Sequence, residues 1–444
     1  MQSQQFRTLA RQLKDNLSRL MEKRSNFESH WQEVADLMLP RKAEITKERA
    51  RGDKRHTQVF DATAIHALEL LAASLHGMLT SSANRWFSLR FKETQLNESD
   101  EAKEWLEDST QRMYDVISKS NFQQEIFECY HDLIAFGTSC LMIEEDQEDT
   151  LLFSARHIKE VYIQENKKGY ADTLYRRFKM PAQSAVSKFG FENVSKEIQN
   201  IANKNPFDDV ELVHVVRPRA DFDPNKKDKK NMPFQSIYFE YGSGHIISIG
   251  GFLENPYVIP RYLKASTEQY GRSPGMNALP DVKVLNKMVE NSLKAAAKQI
   301  DPPLLIPDDG MLAPIRMSPG SINYYRSGSR DRIEPLNINA NNTITINSEN
   351  QRRDAINKMF HIDQLVVTEN RNMTATEVIQ RQEEKMRILG PVLGRLQSEL
   401  LSPLITRVFN ILLRNGLFIQ SPDILQQQEL KIEFVSPMAL AQRG

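Results

Sequence analysis

The stretch Tyr270–Asn286, YGRSPGMNALPDVKVLN, leads into the part of the sequence that decides the fold. A helical pattern covers about Met276–Ile300 and ends before two consecutive prolines. Residues 301–347 are rich in proline and glycine between short extended pieces, which predicts a small β-rich module. Helical pattern returns at about Ser348–Leu365. Two helices that leave and return to one base make the inserted module project outward, which suits a docking surface better than an enclosed active site.

A long helix is predicted after this hairpin. The helical pattern breaks across Val366–Met373 and then continues from Thr374 to Asn415. Gly390-Pro391 and Pro403 should kink this helix, because proline lacks the N–H group that a helix interior needs.

The first 275 residues divide into a helical part and a part rich in strands. Helical spacing of apolar residues predicts four helices, which cover about Phe6–Met38, a stretch from about Asp61, a stretch after Ser99, and Phe122–Phe136. From about residue 138 to 270, short β-type runs alternate with turn signals, and Gly242-Ser243-Gly244 is typical of a hairpin turn. The fold class is therefore α+β, mainly helical with antiparallel β pieces.

Composition indicates a folded protein from a reducing compartment. The chain has 444 residues, enough for two or three domains, with 40% hydrophobic and 26% charged residues. We find no apolar run near the roughly 18 residues that cross a bilayer, and the polar N-terminus lacks a signal-peptide core. Only Cys129 and Cys140 are present, without metal-ligand spacing, which favours ordinary burial of two thiols. We expect no membrane association and a cytoplasmic site of synthesis.

The net charge limits how this chain can meet DNA. Lysine plus arginine number 58 and aspartate plus glutamate also number 58. Proteins that grip DNA statically usually carry a basic surplus, because phosphate neutralisation dominates their affinity. The balance therefore argues against a tight nucleic-acid binder, while a few local basic groups remain compatible with passing contact.

No catalytic or metal-binding constellation rises above background in the sequence. The nine histidines have neither HxH nor HExxH spacing, and the GxSxG and Walker A motifs are absent. Asp308-Asp309-Gly310 offers two adjacent carboxylates, but acids before glycine more often form an exposed turn. We expect no catalytic residues, metal or cofactor. Nucleases use carboxylates that a single sequence can hide, so a metal-dependent nuclease stays the enzymatic alternative.

Three pieces of the chain carry a resemblance to a known family. Phe60–Phe91 is similar to an early helix of the family and the segment that follows that helix. Gly251–Asn286 joins an aromatic-glycine strand to a tyrosine-glycine-x-serine-proline turn and a helix. The third runs from Met373–Val378, MTATEV, through Leu389-Gly390-Pro391 to Gly416. In this order they resemble the portal, or head-to-tail connector, family of short-tailed bacteriophages over nearly the whole chain.

The resemblance implies a portal fold in a dodecameric ring at one capsid vertex, with a central channel. It divides the chain into a wing (1–275 and 374–444), two stem helices (276–300 and 348–365), a clip (301–347) and a tunnel loop (366–373). A helical crown usually follows a stretch like Ser436–Arg443 in this family, and the sequence ends at Gly444. We therefore expect the crown to be absent or truncated.

The resemblance also implies a set of partners. Double-stranded DNA would pass through the channel without sequence readout, during packaging and later ejection. The clip would dock the terminase large subunit and then tail adaptor proteins. Major capsid and scaffolding proteins would surround the ring in the virion, after assembly in the host cytoplasm. The structural alternative is another head-completion or tail adaptor protein, which would normally be shorter.

Two groups of residues are candidates for the functional site. On the first stem helix Lys283, Lys287, Lys294 and Lys298 share an arc of about 60°, opposite an apolar side. We name these four the lysine stripe and hypothesise that they form rungs of positive charge around the DNA path; a solvated outer face is the alternative. Further channel candidates are the tunnel-loop residues Glu369, Asn370, Arg371 and Asn372. Docking candidates in the clip are Asp308, Asp309, Arg316, Tyr324, Tyr325, Arg326 and Arg330.

Overall fold

The computed structural model describes residues 2–48, 52–55, 57–223, 228–305, 322, 334–335, 342–365, 387–419 and 430–435. The helices in these ranges are α1 (Gln2–Met38), α2 (Thr63–Leu79), α3 (Asp100–Lys119), α4 (Phe122–Phe136), α5 (Ala182–Phe189), α6 (Lys196–Lys204), α7 (Pro274–Ile300), α8 (Asn342–Met359), α9 (Ile362–Leu365), α10 (387–396) and α11 (Ser402–Arg414). The strands are β1 (Phe87–Phe91), β2 (Leu141–Glu145), β3 (Leu151–Ala155), β4 (Val161–Glu165), β5 (Ala171–Pro181), β6 (Asp209–Pro218), β7 (Phe234–Glu240), β8 (Ile246–Phe252), β9 (Tyr257–Val258), β10 (Leu304–Leu305), β11 (Glu334–Pro335) and β12 (Leu430–Phe434).

A five-stranded sheet organises the middle of the chain. Its strand order is β4-β5-β6-β7-β8, with every neighbouring pair antiparallel. Val213 and Val215 point to one face and pack against Leu13 and Leu17 of α1. Leu212 lies on the opposite face with apolar residues of α5 and α6, because side chains alternate along a strand. The α+β class with antiparallel pairing is confirmed, and Gly242-Ser243-Gly244 forms the turn between β7 and β8.

The largest core joins helices from distant parts of the sequence. It includes Trp31 of α1 together with buried residues of α2, α4, α7, α10 and α11. Trp86 is almost fully buried in this core and stacks on Phe122. Beside it, the Tyr114 hydroxyl accepts hydrogen bonds from the backbone N–H groups of Trp86 and Phe87, each at 2.8 Å. Cys129 and Cys140 are free thiols buried in this core.

One pair of strands connects regions that lie far apart in the sequence. β1 and β12 are antiparallel, with Phe87 opposite Phe434 and Phe91 opposite Leu430. Arg90 and Glu433 add an ion pair of 2.6 Å across the same ladder. Neither strand was predicted, although FSLRF and LKIEF both alternate apolar and polar residues at strand spacing. What the sequence does not indicate is that two such distant segments pair with each other.

The helix of the second half starts earlier than predicted and is interrupted. α8 begins at Asn342 rather than near Ser348, so it includes six residues that were assigned to the β-rich module. Four of these six residues, NTITIN, are β-branched and favour strands, but the segment forms the beginning of α8. His361, in the left-handed region with φ of +58°, separates α8 from α9.

The long C-terminal helix leaves regular α-helical geometry just before Pro403, one of the prolines at which a kink was predicted. α10 continues through one π-helical turn, Gln397–Leu401, into α11. Pro403 follows this turn and has no N–H group for the carbonyl of Glu399, so the regular hydrogen-bond ladder cannot continue there. The predicted start of this helix at Thr374 lies outside the described residues.

Candidate functional site

Helices α7 and α8 lie side by side and run in opposite directions. The Ser292 hydroxyl donates a 2.6 Å hydrogen bond to Glu349, and Arg352 forms an ion pair with Asp281. Residue numbers rise along one helix as they fall along the other, so the pair is antiparallel. The segment between them, residues 301–341, therefore starts and ends at the same tip. We call α7 and α8 the paired helices.

The YGRSPG motif before α7 fixes the helix on the core. Tyr270 is buried against Trp31, and its hydroxyl accepts a 3.3 Å hydrogen bond from the backbone of Ile163. A Cβ atom on Gly271 would overlap the carbonyl of Gly137, where α4 ends with φ of +76°. Only glycine therefore permits this approach of the two backbones.

Ser273 completes the start of α7. Its hydroxyl accepts a 2.9 Å hydrogen bond from the backbone N–H of Met276, which caps the helix, and donates to the carbonyl of Ala135 at 2.8 Å. Pro274 occupies the first turn, where its missing N–H group is not needed. The same hydroxyl thus begins the helix and anchors it to the end of α4.

The lysine stripe lies on the exposed part of α7, and three of its members have partners. Lys283 forms an ion pair of 3.1 Å with Glu33 of α1. Lys287 and Lys294 both contact Glu290, and their hydrogen bonds hold the pKa of that carboxyl below its usual value. Lys298, near the end of the helix, is exposed. Four positive charges therefore stand beside two negative ones, and whether the stripe faces a channel stays a prediction.

Asn286, which was not among the predicted site residues, connects α7 to the segment before α2. The Asn286 carbonyl oxygen accepts hydrogen bonds from the backbone N–H groups of Phe60 at 2.7 Å and Asp61 at 3.4 Å. Its amide donates to the carbonyl of Gln58 at 2.8 Å. Asp61 also forms a 2.9 Å ion pair with Arg353 of α8. Asn286 belongs to the motif quoted at the start, and a polar amide at that position of a helix is the one feature of the sequence that could have indicated this contact.

A buried charge cluster holds the π-helical turn. Arg261 donates to both oxygens of Glu399, at 3.0 Å from Nε and 2.8 Å from Nη2, and also forms an ion pair with Glu165. Arg395 and Lys264 complete what we call the Arg261 cluster, at 2.8 Å from Glu399 and 2.6 Å from Glu165. Burial alone would lower the pKa of Arg261, but hydrogen bonds to Glu399 and Glu165 raise it above its usual value. The guanidinium therefore stays charged, and its hydrogen bonds hold the π-helical turn against the core.

The other candidate residues lie outside the described part of the chain. These are Glu369, Asn370, Arg371 and Asn372 of the predicted tunnel loop, and Asp308, Asp309, Arg316, Tyr324, Tyr325, Arg326 and Arg330 of the predicted clip. Among the residues that are described, we find no group of three or more His, Cys, Asp or Glu side chains placed to hold a metal ion. The described helices also include none that is long and apolar enough to cross a membrane.

Comparisons with known proteins agree with the resemblance. The family model of the bacteriophage head to tail connecting protein matches residues 10–444. The portal protein of Salmonella phage epsilon15 is 33% identical over 438 residues, which cover 96% of this chain and 79% of that protein. The probable portal protein of Bordetella phage BPP-1 is 32% identical over 437 residues, covering 96% and 78%.

A solved structure described as "Neck of empty GTA particle computed with C6 symmetry" is 10% identical. Its TM-score is 0.44, with 86% of this chain and 84% of that chain covered, and so weak a likeness carries no argument. The family match covers nearly the whole sequence, and both phage relatives cover almost all of it. The chain therefore belongs to the bacteriophage head-to-tail connector family and is a portal protein.

Proposed function

We propose that twelve copies of this chain close into a ring at one capsid vertex and conduct double-stranded DNA during genome packaging and ejection. The observation that supports this most directly is the exposed pair of helices α7 and α8. It rises from the core at the YGRSPG motif and carries apolar and cationic residues that one copy leaves in solvent.

Exposed apolar residues of the paired helices favour assembly. Val284, Leu293 and Ile300 of α7 and Ile346 of α8 are large and exposed in the single chain. At about 100° per residue, Val284 lies on the opposite side of α7 from Leu293 and Ile300. A head-to-tail ring buries two different sides of every subunit, whereas a single two-fold contact buries one. The distribution therefore suits a closed ring.

The lysine stripe suits a channel that DNA passes without being held. Ser292 and Asp281 mark the side of α7 that faces α8, and the lysines lie roughly opposite, on the side away from it. With α7 as the inner helix, the stripe lines the bore. Four lysines beside Glu33 and Glu290 leave a net charge of two per copy, since 4 − 2 = 2. Each neutralised phosphate adds to salt-dependent affinity, so modest charge favours sliding.

The remaining parts of the proposal follow from family membership. Portal proteins are structural, and we propose that this chain contributes no catalytic step. The module between α7 and α8 would dock the terminase large subunit and later tail adaptor proteins, and capsid and scaffolding proteins would surround the ring. The ring would form in the host cytoplasm and end in the virion.

Imaging of the purified protein tests the proposal. Negative-stain electron microscopy is expected to show rings with a central hole, and native mass spectrometry should give one species of twelve chains. A compact monomer at all protein concentrations would overturn the proposal. A ring of another subunit number would correct only the stoichiometry.

A further inference from the structure

Phe60 has a fixed backbone although it lies in the connection before α2. Asn286 binds the N–H group of Phe60 and the carbonyl of Gln58, and the ion pair of Asp61 with Arg353 holds the next residue. Both paired helices therefore hold this short segment in place. Hydrogen bonds from two elements make the position of Phe60 a defined one.

The same arrangement leaves the ring of Phe60 in solvent. Its exposed fraction is 42%, and it is absent from the described hydrophobic clusters. Single exposed apolar residues are common and need no explanation by themselves. An exposed aromatic ring on an immobilised backbone, however, loses little conformational entropy when a partner covers it. Phe60 is thus suited to a contact outside its own chain.

A second exposed apolar residue lies at the same level on the other side of α7. Val284 is 44% exposed. It precedes Asn286 by two residues, which places the two about 200° apart around the helix axis and only about 3 Å apart along it. The paired helices therefore carry Phe60 on one side and Val284 on the other, at equal height.

We infer that Phe60 of one copy packs against Val284 of the next copy. Rotation about a ring axis leaves every residue at its own height. When α7 runs along that axis, the Val284 side of one copy meets the neighbour's opposite side at the level of Asn286, where Phe60 is held. The contact joins two different residues, so it is head-to-tail and propagates around the ring. This inference rests on the proposed ring.

Disulfide trapping tests the contact directly. The double variant Phe60→Cys with Val284→Cys should form a ladder of covalent oligomers after mild oxidation, seen on a non-reducing gel. Cys129 and Cys140 are buried, so the introduced thiols are the reactive ones. Each single variant should still form rings but run as a single chain on the same gel, because a head-to-tail contact never brings two copies of one residue together. Phe60→Cys with Phe191→Cys is the control, since Phe191 is 45% exposed but lies outside the paired helices.

A disulfide forms only within a strict geometry, so a second measurement tests the contact without one. Phe60→Ser should raise the protein concentration at which half the chains form rings by at least about tenfold, because it removes a buried ring from every interface. Phe191→Ser, the same chemical change at an equally exposed position, should leave that concentration unchanged.

The outcomes separate this inference from the proposed ring. Rings without a ladder, together with unchanged assembly of Phe60→Ser, would overturn the contact and leave the proposed function intact. Covalent dimers of either single cysteine variant would overturn it in favour of a two-fold contact. Failure of the unaltered protein to form rings would overturn the proposed function itself.

Discussion

The Arg261 cluster and the lysine stripe contain the same kinds of ion pair in opposite surroundings. Arg261 is 0% exposed and donates hydrogen bonds to Glu399, Glu165 and two backbone carbonyls. The Lys287 side chain is 66% exposed and shares Glu290 with Lys294. One cluster lies between distant segments of the chain, and the other lies along the surface of a single helix.

The difference concerns where electrostatic energy is needed. A charge removed from water is tolerated only with full hydrogen bonding, so the Arg261 cluster determines how the π-helical turn sits on the core. Exposed pairs contribute little because water and salt screen them. Their charges remain available to a polyanion passing by. Structure and function therefore use the same residue types at different depths.

The largest effect should come from Glu399→Gln. The substitution keeps the shape of the side chain but leaves Arg261 and Arg395 facing a neutral amide. Breaking a buried pair in this way costs about 3–5 kcal/mol of unfolding free energy. Chemical denaturation followed by circular dichroism, at one protein concentration, measures it. Glu290→Gln is the matched control with no expected change, and equal midpoints for the two variants would contradict the contrast.

A smaller effect should appear in the pH dependence of stability. Burial, and then the positive charge of Lys42, lowers the pKa of His157 to about 4. Its Nδ1 accepts a hydrogen bond from the Lys159 backbone at 3.1 Å, which a protonated ring cannot do. The unfolded chain binds the proton more readily, so stability falls as pH drops from about 6.5 to about 4 and is constant below, with up to about 3 kcal/mol lost.

The variant His157→Gln isolates this contribution. Its stability between pH 7 and pH 4 should fall less than that of the unaltered protein, because the titrating ring is gone. His66→Gln removes an exposed histidine and should keep the original slope. Parallel acid profiles for all three proteins would show that His157 does not titrate in this range.

The interface between the paired helices should give a smaller effect still. Glu349 is buried there, accepts a hydrogen bond from Ser292 and has Arg353 as a second partner at 3.5 Å. Ser292→Ala should cost about 1–2 kcal/mol of unfolding free energy, since one buried acceptor loses its donor. Ser118→Ala, which removes a bond from an exposed hydroxyl to a nearby carbonyl, is the control. Equal denaturation midpoints for Ser292→Ala and Ser118→Ala would show that water replaces the Ser292 hydrogen bond and that Glu349 is not buried.

Local periodicity predicted much of this fold. Phe122–Phe136 was predicted with the bounds that the structure has, because it combines a clear apolar period with a following glycine. α6 was missed although Ile198, Ile201 and Ala202 follow helical spacing, because a helix of nine residues shows that period only once. The kinks predicted at Pro391 and Pro403 stay predictions, and the π-helical turn before Pro403 was not predicted.

Contacts between distant segments could not be predicted in this way. Arg261 and Glu399 are 138 residues apart, and Asn286 binds Phe60 across 226 residues. Nothing in the spacing of charged or polar residues indicates which of many candidates will meet. The lysine stripe was visible because its members share one helix, whereas its neutralisation by Glu33 depends on how α1 packs against α7.

The smallest effect on stability, with a distinct effect on DNA, is expected when all four lysines of the stripe become glutamine. The side chains are exposed and their pairs are screened, so denaturation midpoints and ring images should match those of the unaltered protein. DNA packaging should slow or retained DNA should loosen, and the salt dependence should weaken because fewer phosphate contacts remain. Glutamine at the exposed Lys103, Lys119, Lys196 and Lys204 makes an equal change in charge away from α7 and should leave packaging unaltered. Equal packaging by both quadruple variants would place the lysine stripe on the outside of the ring. The Arg261 cluster and the lysine stripe would then differ only in burial, and neither would have a role in DNA passage.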